Sequence, residues 1–325
     1  MHIHPDLRAL RSDDTPQRDA QAALFRAVKA WRERPHVAAL LADLSAFAEN
    51  GPLADCPALG ALFKAHSLDA VELAEEFSRA ISNALMGSPL GHVPLRHFTD
   101  GTISTLLLAR SGNVTLSLIA LDGDGLAARP DPVTVDFSPS EVWECVLAGE
   151  ARAERIERMF TGEKEALLDR RRVSLCPGDV VARDASREAL LVRQVEGRLV
   201  TLRLQRRQEN AGTTREYNLA DGKLVYQAAG NPQDSRTELM MALLGRMKRE
   251  DAAPVFARIA QEPGTASLRW QALRECLALD TAAGFGALTA IARASGDELA
   301  PSAGALRAQL IEAHPMLEKV SVCPE

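Results

Sequence analysis

The first ninety residues carry hydrophobic positions at the spacing of an α-helix. Apolar side chains recur every three to four residues in three stretches, and this period predicts three helices with one buried face each. The first starts at Thr15, directly before a proline that favours the first helical turn, and the second follows a break at Pro35. An Asn50-Gly51 pair ends the second helix, and the third covers residues 69–86.

From Thr102 onwards the period changes to two, and this alternation predicts β-strands. Runs rich in leucine and β-branched residues flank three glycine-containing turns, each of which predicts a hairpin. These turns are Ser111-Gly112-Asn113, Glu196-Gly197 and Asp221-Gly222. With about ten short strands and no long helix between them, this part of the chain is expected to form an all-β barrel or sandwich.

The last ninety residues have a helical pattern again, and similar stretches recur about 30–33 residues apart. The segment 253–260, for example, aligns with the segment 285–292. This spacing resembles a short HEAT-like array of helix pairs, with a plain helical bundle as the alternative. The patterns together predict an α+β protein of three segments: helical residues 1–90, strand-rich residues 91–232 and helical residues 233–325.

The composition of the 325 residues narrows the functional classes. Charged residues make up 25% of the chain and are interspersed, with a net charge of −6 and no basic block, so no nucleic-acid partner is expected. No apolar run approaches the ~20 residues of a membrane span, so no membrane partner is expected. The five cysteines are scattered without a CxxC pair, which favours a reducing cytoplasm over a disulfide framework.

Two short motifs in the strand-rich segment resemble the cupin superfamily. The first is "EVWECVLAG", in which Glu141 precedes an apolar run that ends at Gly149. The second is the "CPGD" turn at residues 176–179, which is followed by two valines. The resemblance covers residues 95–230 and implies the fold of that family. The expected architecture is therefore a central cupin-like double-sheet jelly-roll barrel flanked by N-terminal and C-terminal helical segments.

Cupin proteins hold a metal ion with two histidines shortly before the glutamate and a third histidine after the second turn. In this sequence the first two places fall on Val135 and Phe137, or one residue earlier, and none of these residues is a histidine. The third place falls within residues 186–188, which contain no histidine either. Because Glu141 alone matches, no cofactor is expected. The alternative is an irregular site in which His97 and Glu141 hold iron or another divalent transition metal.

Strand alternation also suggests a metal-free ligand site. Glu141, Trp143 and Cys145 share one face of their strand. If that face lines the barrel, the lumen has a carboxylate, an indole and a thiol, and Arg183 or Arg203 is the expected partner of the carboxylate. These five residues are the candidates for ligand binding, with an inward salt bridge that holds no ligand as the alternative.

The predicted function is that of a metal-free cupin-like binding or regulatory protein. The barrel is expected to hold a small-molecule ligand, and the helical segments are expected to bind a protein partner. The alternative is a cupin-type enzyme: a non-haem metal dioxygenase with irregular ligands, or a metal-independent isomerase that uses Glu141 as its base. A homodimer is a further expectation, because cupin-like barrels often pair through their sheets.

Overall fold

The structure, a computed structural model, describes residues 13–160, 165–208, 213–229 and 232–319. The chain forms two compact units. They comprise residues 1–209 with 216–225, and residues 210–215 with 226–325. The first unit contains the N-terminal helices and most of the strands, and the second contains the C-terminal helices. The division of the sequence into three segments stays a prediction.

Three helices of the first unit lie where the sequence predicts them, and two short helices, Pro57–Ala61 and Gly123–Ala127, were not predicted. Its described α-helices are α1 (Thr15–Arg32), α2 (Pro35–Ala48), α3 (Pro57–Ala61), α4 (Asp69–Gly87) and α5 (Gly123–Ala127). Asn50, two residues after α2, adopts a left-handed φ of 69°, as expected for a helix terminus. The apolar stripes of α1, α2 and α4 are buried, so the three helices form a layer with one apolar side.

Ten strands are formed by the described residues. They are β1 (His97–Thr99), β2 (Ile103–Ser111), β3 (Val114–Asp122), β4 (Thr134–Phe137), β5 (Ser140–Phe160), β6 (Ala166–Leu175), β7 (Val180–Asp184), β8 (Glu188–Arg207), β9 (Thr213–Asn218) and β10 (Leu224–Ala229). A seven-stranded sheet has the order β1-β2-β3-β8-β5-β6, with β7 also paired to β5. A three-stranded sheet has the order β10-β9-β4. Neighbouring strands of the large sheet are antiparallel.

Two of the three predicted hairpins are confirmed and one is wrong. β2 and β3 pair around Gly112, and β9 and β10 pair around Gly222. The Glu196-Gly197 pair, by contrast, lies inside the continuous strand β8. Its partner β5 is just as long, so the ladder of hydrogen bonds continues past this point and the glycine forms a bulge instead of a turn.

The long pair β5–β8 bends in its middle and divides the large sheet into two arms. In the first arm the beginning of β5 pairs with β7 and with the end of β8. In the second arm the end of β5 pairs with β6 and with the beginning of β8. At the bend Gly149 has a φ of +83°, and a Cβ atom there would lie 2.1 Å from the carbonyl oxygen of Arg198. Glycine is therefore required at the end of the "VLAG" motif, which is a bend within one strand.

Three clusters of buried side chains fill the first unit. The helix–sheet core lies between the helices and one face of the first arm, and includes Trp31, Phe47, Phe77, Leu116, Cys145, Leu202 and Leu204. The interior core lies between the two arms, and includes Val146, Ala151, Ala153, Leu175, Val195 and Leu199. The small-sheet core lies between the three-stranded sheet and the second arm, and includes Val135, Phe137, Ile156, Ala166 and Tyr217.

The second unit consists of helices around a core of its own. Its described α-helices are α6 (Pro232–Arg246), α7 (Ala253–Gln261), α8 (Ala266–Leu279), α9 (Thr281–Arg293) and α10 (Ala300–Ala313). Inside it, the largely buried Arg269 donates two hydrogen bonds to the carboxylate of Asp297. The aligned segments 253–260 and 285–292 lie in α7 and α9, and the HEAT-like arrangement stays a prediction.

The two units together give the α+β class that the sequence predicts, with antiparallel sheets and separate groups of helices. None of the helices that the structure describes combines the length and the apolar character needed to span a bilayer.

Candidate functional site

The first part of β5 separates its side chains onto two faces, as the sequence predicts. Trp143 and Cys145 share a face, but that face packs in the helix–sheet core and not in the interior core. The indole of Trp143 meets the ring of Phe47 edge to face, with centroids 5.6 Å apart. The interpretation of Glu141, Trp143 and Cys145 as lumen-lining residues is therefore wrong, because helix α2 covers the face that they share.

Glu141 is half-exposed at the border of this face, and its partner is Arg206 of β8. Arg206 donates hydrogen bonds to the carboxylate of Glu141 at 2.5 and 2.7 Å. It also donates to the carbonyl oxygens of Phe47 and Gly51 at the end of α2, and its guanidinium lies 4.1 Å from the ring centroid of Phe47. Arg206 thus joins the sheet to the carbonyl end of a helix, where a positive charge is favourable. The predicted pairing of Glu141 with Arg183 or Arg203 is wrong.

Arg183 and Arg203 instead hold Glu144, a buried carboxylate on the opposite face of β5. Arg203 donates to one oxygen of Glu144 at 2.5 and 2.7 Å, and Arg183 donates to the other. Burial raises the pKa of Glu144, but the charges and hydrogen bonds of Arg203 and Arg183 outweigh that effect, so its pKa lies below the ordinary value. Val181, which lies opposite Glu144 in β7, packs against the interior core. A three-residue ion cluster therefore lies beside the aliphatic side chains of the interior core.

The two residues of the alternative metal site, His97 and Glu141, do not come together. His97 of β1 and Glu141 of β5 belong to strands that are separated by β2, β3 and β8. At ~4.8 Å per strand, about 19 Å of sheet separates the two strands, whereas ligands bind a shared metal ion at ~2 Å. Val135 and Phe137, at the places of the family's first two histidines, are buried in the small-sheet core. Within the described ranges no three histidine, cysteine, aspartate or glutamate side chains form a metal-binding group. The residues present do not fit a cupin metal ion.

Cys145 has the surroundings of a structural thiol. It is buried in the helix–sheet core, and burial together with the charge of Asp179 raises its pKa above the ordinary value. A thiol with a raised pKa is a poor nucleophile, because the thiolate is the reactive form. Asp179 itself accepts a hydrogen bond at 2.8 Å from the backbone N–H of Cys176, which closes the "CPGD" turn. A further cysteine, Cys323, lies outside the described residues.

A second candidate site lies on the second arm, on the face that points away from the interior core. There a groove of about 910 Å³ is lined by strands β5, β6 and β8 and by residues 131–133 and 218–220. Four arginines line it, two in β6, one in β5 and one in β8: Arg152, Arg170, Arg172 and Arg193. We call this the arginine groove. It is adjacent to the small-sheet core, because Ile156 of that core lies opposite Arg170 in the β5–β6 ladder.

Glu154 is the carboxylate of the arginine groove. Its Oε2 atom accepts hydrogen bonds from Arg170 at 2.7 and 3.2 Å and from Arg193 at 3.0 and 3.3 Å. Partial burial raises the pKa of Glu154, but the hydrogen bonds and charges of Arg170 and Arg193 outweigh it and lower the pKa overall. Glu154 therefore stays ionised at neutral pH and neutralises part of the charge of these two arginines.

Neither Glu144 as a buried ion-pair partner nor the arginine groove was predicted, although each has a sequence signal. Glu144 alternates with Val142 and Val146, and a carboxylate between two apolar residues of one strand face indicates a buried charge that needs partners. In the stretch "DRRRVSL", Arg170 and Arg172 are two residues apart, which places both on one face of β6.

Comparisons with known proteins find similarity in structure only. No protein-family model and no curated protein matches the chain. A cupin superfamily protein from Desulfitobacterium hafniense matches at 19% identity and a TM-score of 0.24, covering 34% of this chain and 83% of that one. KdgF from Halomonas sp. matches at 14% identity and a TM-score of 0.25, covering 35% and 90%. HutD from Pseudomonas fluorescens matches at 16% identity and a TM-score of 0.24, covering 35% and 57%. The solved structures similar to this chain include cupin superfamily proteins, the family that its motifs resemble.

Proposed function

We propose that this protein is a metal-free binding or regulatory module with a cupin-like jelly-roll fold. The observation that carries the proposal is the engagement by arginines of Glu141 and Glu144, the two carboxylates in the first part of β5. Glu141 is held by Arg206, and Glu144 is held on both oxygens by Arg183 and Arg203. Both oxygens of Glu144 and the Oε2 atom of Glu141 accept charged hydrogen bonds, and each such bond takes up part of the capacity of the carboxylate to bind a metal ion or a substrate.

The cupin-type enzyme is the less favoured alternative. An isomerase that uses Glu141 as its base needs a carboxylate with a raised proton affinity within reach of the substrate. The guanidinium of Arg206 donates to the carboxylate of Glu141 and holds it near the end of α2. A dioxygenase needs nitrogen ligands near this carboxylate, and His97 belongs to β1, which three other strands separate from β5.

Metal analysis of the full chain, purified without a histidine tag, tests the proposal. Inductively coupled plasma mass spectrometry is expected to find iron, manganese, nickel and zinc far below one ion per chain. One metal ion per chain that is lost in Glu141→Ala or Glu144→Ala would overturn the proposal. Glu150→Ala is the matched control, because Glu150 belongs to the same strand but is exposed.

The expected protein partner of the helical segments, the homodimer and the cytoplasmic location stay predictions. Light scattering coupled to size-exclusion chromatography measures the predicted homodimer directly, since it gives the molar mass of the particle in solution.

A further inference from the structure

We propose that the arginine groove binds an oxyanion, the phosphate or carboxylate group of a small molecule, between Arg152 and Arg172. The groove is separate from Glu141 and Glu144, the carboxylates on which the proposed function depends. The inference rests on that function only in taking the protein for a binding module, and it adds a site and a class of ligand.

Strand register places the two arginines where they can reach the same ligand group. Arg152 of β5 lies opposite Ser174 of β6, and Arg172 lies opposite Glu154. Arg152 and Arg172 are therefore diagonal neighbours on one face of adjacent strands, a position at which Cα atoms are about 7–8 Å apart. Two long side chains at this separation can converge on one anion. Guanidinium groups suit this task, because their planar donors pair with two oxygens of a phosphate or carboxylate at once.

The charges of the groove are unequal in a way that leaves these two arginines available. Arg170 and Arg193 are both engaged by Glu154. The side chains of Arg152 and Arg172, in contrast, make neither a hydrogen bond nor an ion pair with any residue that the structure describes. The arginines of the groove thus carry more positive charge than its carboxylates neutralise. An anionic ligand would supply the missing negative charge.

The size and the polar lining of the groove indicate a small ligand. Its volume of about 910 Å³ lies within the range of small-molecule sites. Ser174, Gln194 and Asn218 add uncharged hydrogen-bonding groups that can orient the rest of a ligand. Two carboxylates, Glu154 and Asp131, line the same groove. They would repel the successive phosphates of a nucleic acid, so a single anionic group fits better than a polyanionic chain.

Anion titrations of the full chain at constant ionic strength test this inference. Inorganic phosphate and citrate are the probes, and the melting temperature is measured, because a ligand of the native state must stabilise it. We expect a saturable rise with at least one probe. Arg152→Gln or Arg172→Gln should weaken the fitted affinity at least about tenfold, since each removes charge-assisted hydrogen bonds to the anion. A response to phosphate alone indicates a phosphate ester, and a response to citrate alone indicates a carboxylate.

Arg171→Gln is the matched control. It removes the same charge from the neighbouring residue of β6, but Arg171 points to the other face and pairs with Asp169. The affinity of the Arg171→Gln variant for the anion should stay within about twofold of the wild-type value. The charge that it loses lies on the other face of the strand, where salt screens its effect on the groove. Equal weakening by Arg171→Gln and Arg172→Gln would overturn the inference, as would the absence of saturable binding or binding of single-stranded oligonucleotides only. A metal ion found in the same preparation would overturn the proposed function instead and leave the anion result intact.

Discussion

At the scale of single residues, Glu144 links three strands through its charge. It projects from β5, Arg183 from β7 and Arg203 from β8, so the ion cluster spans three neighbouring strands of the first arm. Burial of one carboxylate is costly by itself, and the two guanidinium groups offset this cost. The partners are therefore part of the fold, and the removal of Glu144 leaves a largely buried Arg183 without its counter-charge.

Glu144→Gln should lower the free energy of unfolding by roughly 3 kcal/mol, the lower end of the cost of breaking a buried ion pair. Arg203 keeps access to water, and for that reason we expect a value at the lower end. Urea unfolding at pH 7, followed by circular dichroism, measures the change. Glu150→Gln of the same strand is exposed and should change the free energy by less than about 0.5 kcal/mol. Equal effects of the two substitutions would show that Glu144 has no special role in stability.

At the scale of elements, the bend of β5 and β8 decides which residues face the interior. Gly149 permits the bend because glycine tolerates a positive φ. In addition, the carbonyl group of Arg198 lies so close that a Cβ atom would not fit. Gly197 of β8 also has a positive φ, of +66°, but a Cβ atom there would meet no atom within 4 Å. These two glycines have the same backbone requirement and differ in the space around them.

Gly149→Ala should therefore destabilise the first unit by roughly 3 kcal/mol or more, from backbone strain together with the clash. Gly197→Ala should lower the free energy of unfolding by only about 1–2 kcal/mol, because an alanine in the left-handed conformation is strained. The two variants are compared by urea unfolding under the same conditions. If Gly197→Ala is as harmful as Gly149→Ala, close approach of the strands is not what the glycine of the "VLAG" motif provides.

Local patterns predicted the elements better than they predicted the surroundings of single side chains. The starts of α1 and α2 and the hairpin at Gly112 follow from residues close in sequence, and each is confirmed. The strand that continues through Gly197 depends on a partner about fifty residues away, which local turn propensity does not report. Alternation likewise separated the two faces of β5, but which face the helices cover is decided by tertiary packing.

At the scale of the whole molecule, ion pairs are expected to make stability sensitive to acid. The pKa values of Glu144 and Glu154 are lowered in the folded protein. A lowered pKa adds stability above the pKa of the unfolded chain, about 4.3 for glutamate, and this stability is lost as the pH falls through the folded value. The urea midpoint should thus be constant from pH 8 to pH 6 and fall below about pH 4.3. Glu144→Gln should show a smaller fall, and a midpoint that rises on acidification would contradict the assignment.

The proposed function requires Glu141 and Glu144 to be ion-pair partners and neither metal ligands nor bases. A carboxyl-carbon NMR titration of glutamate-labelled protein, with Glu144→Gln to assign the signal, tests it most directly. We expect Glu144 to titrate below the ordinary glutamate pKa of about 4.3, and we expect no change in its signal when zinc or iron(II) is added. A pKa of Glu144 raised toward neutrality, or a carboxyl signal that shifts stoichiometrically with added metal, would contradict the proposed ion-pair role.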